Sequence, residues 1–157
     1  MRTFISKIIM LITSSVLFFT AGSSVVSAQG LDDAFEISAS GMLTQKIRIT
    51  LIAENIANMS SLKDEETGLP YQRQYAVIEP TAKGVRVSSI EKSKEPFGKY
   101  FDPSVPQADE DGYFYYPNVT IPEEMVNLTY SEAIFEANVA CFKTTKAIYQ
   151  STIDVLK

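Results

Sequence analysis

Apolar side chains recur with a seven-residue period at both ends of the chain. Phe35, Met42, Ile49 and Ile56 are each seven apart, Leu31 lies four before the first, and Ile52 and Met59 lie three beyond the last two. Spacings of three and four that sum to seven place these residues on one stripe of a helix. Ser38 and Gln45 hold the other positions of that stripe, so it is interrupted by polar groups. Gly41 lies inside the segment, where glycine costs about 1 kcal/mol relative to alanine. Close approach of a neighbouring backbone would explain it. Asn58, Ser60, Ser61, a charged run and then Gly68 and Pro70 end the helix. In the last segment Leu128, Phe135, Phe142, Tyr149 and Leu156 keep the same period. Met125, Val139 and Ile153 fill intermediate positions of that stripe, which Glu132 and Lys146 share. Thr120-Ile121-Pro122-Glu123 reads as a capping box at its start. At 1.5 Å per residue this second helix runs to roughly 54 Å, too long to bury its stripe alone.

Between the helices the pattern changes. Residues 75–78 and 85–90 alternate or cluster like short strands, separated by Pro80 and Lys83-Gly84. Pro96, Gly98, Pro103 and Pro106 predict a loop, and Tyr113-Phe114-Tyr115-Tyr116 an aromatic strand closed by Pro117. The fold predicted is α+β: long N- and C-terminal helices paired as an antiparallel-type coiled coil, with a small β-rich middle insert. The divisions are residues 29–60 for the first helix, 61–121 for the insert and 122–157 for the second helix.

Residues 1–28 read differently. Arg2 and Lys7 precede an apolar run from Ile8 to Phe19, and Val26-Ser27-Ala28 offers small residues at a cleavage point. That is the plan of a secretory signal, with an apolar run short of the roughly 20 residues that span a bilayer. The exported chain would start at Gln29.

Composition narrows the chemistry. The chain has 157 residues and a net charge of −5, and Arg2 and Lys7 are the only charges in the leader, so the remainder carries −7. An acidic chain without a basic cluster is a poor binder of nucleic acid. There is no histidine, and Cys141 is the single cysteine, which excludes histidine-based catalysis and an intrachain disulfide. Cys141 is expected to be a buried, inert thiol. Asp109-Glu110-Asp111-Gly112 fails as a calcium loop because the twelfth position is Thr120, and reads as a solvated turn. Glu123 and Glu124 sit at a helix start, where capping accounts for them. No phosphate-binding loop is present, and neither an enzymatic activity nor a metal, cofactor or small-molecule substrate is predicted.

Three stretches carry a resemblance. Ile52-Ala53-Glu54-Asn55-Ile56-Ala57-Asn58 is similar to the I-A-x-N-I-A-N signature of flagellar rod and hook proteins. Asp109-Glu110-Asp111-Gly112-Tyr113 with Pro117-Asn118-Val119 resembles their D-x-x-G-Y…P-N-V element. Glu123-Glu124-Met125-Val126 with Phe135-Glu136-Ala137-Asn138-Val139 resembles their E-E-M-V…Y-E-A-N-V helix, with Phe135 in place of Tyr and Ala133 in place of Arg. The order and spacing point to the proximal-rod family among these flagellar axial proteins. The resemblance implies a structural subunit of the basal-body rod, exported to the periplasm, that passes torque from basal body to hook. Its partners would be further copies and other rod and basal-body proteins. It also implies subunit-packing roles for Asn55, Asn58 and Asn138, beside the apolar stripe residues Phe35, Met42, Ile49, Ile52, Ile56, Met125, Leu128, Phe135, Val139, Phe142, Tyr149, Ile153 and Leu156. Two other readings stay open: a periplasmic helical adaptor with an enclosed pocket, and a protein anchored by an uncleaved first segment.

Overall fold

The computed structural model describes residues 26–63 and 68–155. The leader predicted for residues 1–28 lies outside them except for its last three residues. The element order is α1 (Val26–Ala57), β1 (Gln74–Thr81), β2 (Gly84–Lys92), β3 (Gly98–Phe101), β4 (Tyr113–Tyr116) and α2 (Ile121–Val155). Two long terminal helices therefore flank a small β insert, as the sequence predicts.

The helices lie against each other in opposite directions. Phe35 near the start of α1 stands edge-on to Phe142, ring centroids 5.0 Å apart, and to Tyr149 at 6.4 Å. Gly41 faces Asn138, and Asn55 near the end of α1 reaches Glu124 in the first turn of α2. A short turn ends α1, with the Ser61 amide donating to the Asn58 carbonyl. At the start of α2 the Glu124 amide donates to the Thr120 carbonyl. Pro122 costs nothing in that first turn, where its missing N–H has no helical partner.

The insert holds two separate two-stranded antiparallel sheets. In the first, β1 and β2 form a hairpin whose register slips between Val77 and Ile78. The hairpin lies along α1. At its tip the Lys83 ammonium sits 3.2 Å from both Asp33 and Glu36, and the Val85 amide donates to Ser40 Oγ. Asp33 and then Glu36 raise the Lys83 pKa above its ordinary value. In the second sheet β3 pairs with β4. Strand β3 lies where the prolines predict a loop. Four residues suffice because cross-strand rings stabilise it: Phe101 meets Tyr113 at 5.2 Å and Tyr100 meets Phe114 at 6.1 Å. The Asp109 turn is held by its own carboxylate, which accepts from the Asp111 and Tyr113 amides.

The phase of the predicted α2 stripe is corrected. Its inward line is Glu124, Ser131, Asn138 and Thr145, one residue before the expected line through Met125, Glu132, Val139, Lys146 and Ile153. The other predicted line, through Leu128, Phe135 and Phe142, stays in the seam, so the stripe's centre is turned by about 50° from that expectation. Opposite it, α1 buries Ser38, Gly41, Thr44 and Gln45 together with Leu51, Ile52 and Asn55. Burying Glu132 and Lys146 would desolvate two charges, whereas Ser131, Asn138 and Thr145 cost less and let the helices come close, and Glu124, the one charge on the inward line, is paired with Arg73. Gly41 serves that approach, because a Cβ there would stand 2.6 Å from the Asn138 side chain. Cys141 is exposed, contrary to expectation, because the helix pair covers only one stripe of α2.

Candidate functional site: the helix pair and its buried polar node

One cluster of polar side chains joins both helices to the insert. Asn55 is 1% exposed and Glu124 is fully buried. Asn55 sits in the last turn of α1, so its amide projects past the helix end toward the chain entering β1. Its Nδ2 donates to the Gln74 carbonyl at 2.9 Å and to Glu124 Oε2 at 3.2 Å. Its Oδ1 accepts from the Gln74 amide and from the Tyr71 hydroxyl, each at 2.9 Å. An amide side chain offers two donors and two acceptor lone pairs, and all four are used.

Glu124 is held by Arg73 from the strand entry, whose Nε donates to Oε1. The Arg73 amide donates to Asn118 Oδ1 at 2.8 Å, and Asn118 Nδ2 donates to the Glu95 carbonyl at 2.9 Å. Burial first, then the Glu54 and Glu124 carboxylates, raise the Tyr71 pKa above 10.0, so it remains a neutral donor to Asn55. A buried ion pair with both partners hydrogen-bonded is tolerated, but removing one partner costs about 3–5 kcal/mol.

The node gathers one residue from each family-like stretch: Asn55, Asn118 and Glu124. Arg73 and Tyr71, from outside those stretches, complete it and were not singled out in the sequence. Glu124 has more than a capping role, since its carboxylate faces the node. Spacing does not single it out, because the line Glu124, Ser131, Asn138 and Thr145 is polar and every line of the helix repeats at seven.

The predicted packing residues fall into distinct environments. Ile52 and Asn55 are buried. Phe35, Met42, Ile49, Ile56, Asn58, Leu128, Phe135, Asn138, Val139 and Phe142 are half-buried along the helix pair. Met125, Tyr149 and Ile153 are exposed on α2, at 58%, 47% and 39%. Leu156 lies outside the described residues. Asn58 works at its own helix end, where Nδ2 donates to the Glu54 carbonyl and Oδ1 accepts from the Ser61 hydroxyl.

Further apolar side chains face outward on the helices, among them Ile37, Leu43, Val126, Tyr130 and Ile148. Among the described residues, apart from Pro70 and Pro117, the buried apolar side chains are only Leu51, Ile52 and Phe114. Among the same residues, no group of three acidic or cysteine side chains could hold a metal ion. The arrangement offers surface for packing and a rigid joint between helices and insert.

No family model matches the chain. Known proteins do match it. It is 31% identical to the "Flagellar basal-body rod protein FlgC" of Borreliella burgdorferi, over 82% of this chain and 99% of that protein. It is 36% identical to the protein of the same description from Aquifex aeolicus, over 80% of this chain and 96% of that one. The Salmonella typhimurium protein of that description is 31% identical over 76% of this chain and 92% of its own length. Relatives from such distant bacteria match almost from end to end, and the chain belongs to the FlgC family of flagellar basal-body rod proteins.

Proposed function

We propose that this chain is a structural subunit of the bacterial flagellar basal-body rod, joining further copies and other rod and basal-body proteins to carry torque toward the hook. The observation that carries the reading is the match to FlgC proteins across nearly their whole length. The distribution of apolar surface agrees with it. A subunit whose described residues bury so few apolar side chains, and expose Met125, Val126, Tyr130, Ile148 and Tyr149 along one long helix, gains its remaining burial from neighbours.

The finer parts of the reading are these. The terminal helices, residues 29–60 and 122–157, act as an antiparallel coiled-coil pair within the rod. The insert, residues 61–121, lies outside that pair and touches adjacent subunits. The half-buried stripe residues close the pair, while Met125, Tyr149, Ile153 and Leu156 pack on neighbouring subunits. Residues 1–28 act as a secretory leader that delivers the chain to the periplasm. In support, Arg2 and Lys7 precede an apolar run from Ile8 to Phe19 that is short of a bilayer span.

Swimming tests the assembly reading. Met125→Glu with Ile153→Glu changes two exposed side chains, so the purified subunit should keep its stability within about 0.5 kcal/mol. Cells carrying only this variant should be immotile, with the protein missing from isolated basal bodies. Normal swimming with the variant incorporated would remove α2 from the assembly surface.

A further inference from the structure

We infer that the Asn55–Arg73–Glu124 node sets the register of the two terminal helices through directional bonds that the seam between them lacks. The inference rests on the internal geometry of one chain and is independent of the rod reading. The seam's polar groups do not reach across it. Ser38 Oγ donates to the Ala34 carbonyl, Asn138 Nδ2 to Ile134 and Thr145 Oγ1 to Cys141, each within its own helix. Gln45 Oε1 and Ser131 Oγ are buried with no hydrogen-bond partner. The seam therefore supplies no directional bond that a shifted pairing would lose.

The apolar contacts are equally permissive. Phe35 packs between Phe142 and Tyr149, and Phe135 continues the same seven-residue ladder. A slip of one heptad, about 10 Å along the axis, would still give Phe35 aromatic neighbours. At Gly41 the same slip exchanges Asn138 for Ser131 or Thr145, both smaller, and carries Asn138 opposite Ala34 or Arg48, which have the Cβ that Gly41 lacks, so the seam opposes the slip by shape and not by a bond. A repetitive seam of small residues leaves register weakly specified unless a polar contact fixes it.

The node is not repetitive. Asn55 Nδ2 crosses directly to Glu124, and Arg73 joins Glu124 to β1, which Asn55 holds through both backbone groups of Gln74. One heptad along α2 from Glu124 stands Ser131, which has no charge to offer Arg73. A slipped pair would leave the Arg73 guanidinium without its carboxylate and Asn55 without one acceptor. That penalty selects one register.

Disulfide trapping in the purified full chain tests this, in a Cys141→Ser background. An in-register reporter carries Gly41→Cys with Asn138→Cys. A slip reporter carries Gly41→Cys with Thr145→Cys, plus Asn138→Ala so that the new side chain at 41 meets no clash. The parent should cross-link in the first reporter and not in the second. Arg73→Met with Glu124→Met removes both charges and leaves neither unpaired. With helix content unchanged by circular dichroism, this variant should lose in-register cross-linking by roughly tenfold, the ratio given by about 1.4 kcal/mol of register preference. Gln45→Leu with Ser131→Ala alters the seam and should keep the parent pattern. The inference is overturned if the helical node variant keeps the parent pattern, if the seam variant cross-links in the slip reporter, or if the parent fails to cross-link in register. Should the node variant lose its helices, the seam variant decides alone: the parent pattern upholds the inference and slip cross-linking ends it.

Discussion

At the scale of single residues, two asparagines in one heptapeptide do different work. Asn55 spends all four of its hydrogen-bonding positions on three residues of two distant segments, while Asn58 caps the helix that carries it. Asn55→Ala would strand the Gln74 backbone groups, the Tyr71 hydroxyl and one Glu124 oxygen in a buried setting. At about 1–3 kcal/mol for each group that finds no water, a total loss of roughly 3 kcal/mol is expected in urea unfolding. Asn58→Ala, next to solvent, should cost about 1 kcal/mol or less. The sequence offers both residues through the same motif and does not distinguish them. The difference lies in what surrounds each amide, and the surroundings of Asn55 come from residues 16 to 69 positions away.

At the scale of elements, the hairpin is fixed to α1 at both ends: by the node at its base and by Ser40 and Lys83 at its tip. Gly84 makes the tip contact possible. Its φ of +121° is a conformation that side chains avoid, and an added Cβ would run into Ser40 Oγ and press on the α1 backbone at Ile37. Gly84→Ala should therefore destabilise the protein by about 2 kcal/mol. Faster hydrogen exchange at the Val85 amide, with α2 unaffected, would locate the damage at the tip. The helices and the first hairpin were legible because their periods, seven and two, survive in the local sequence. Strand β3 was not legible. Its stability comes from rings on β4, and the local prolines argue against it. The phase of α2 was misread for a related reason: apolar residues mark the stripe that would gain most from burial. The pair instead buries small polar residues and leaves Met125 and Ile153 outside.

At the scale of the whole molecule, the balance of surface and core agrees with a part made for assembly. The described residues bury few apolar side chains, and the helices keep large ones outward. A subunit of this kind is completed by its neighbours, which is how long helical pairs with little to cover them become stable. Delivery belongs to the same scale. If residues 1–28 are a leader, the intact mass of the native protein from a periplasmic fraction will correspond to a chain beginning at Gln29. A mass that includes Met1 would show that the segment is kept.

The sequence by itself determined that two helices would flank a strand-rich insert, and which family the chain resembles. Periodicity and short motifs are local properties, and they survive without coordinates. Only the tertiary structure decided which line of α2 faces inward, that Arg73 meets Glu124, and that Asn55 binds two distant segments while Asn58 binds its own. Those outcomes depend on which distant groups satisfy one another once water is excluded, and no spacing along a chain encodes that.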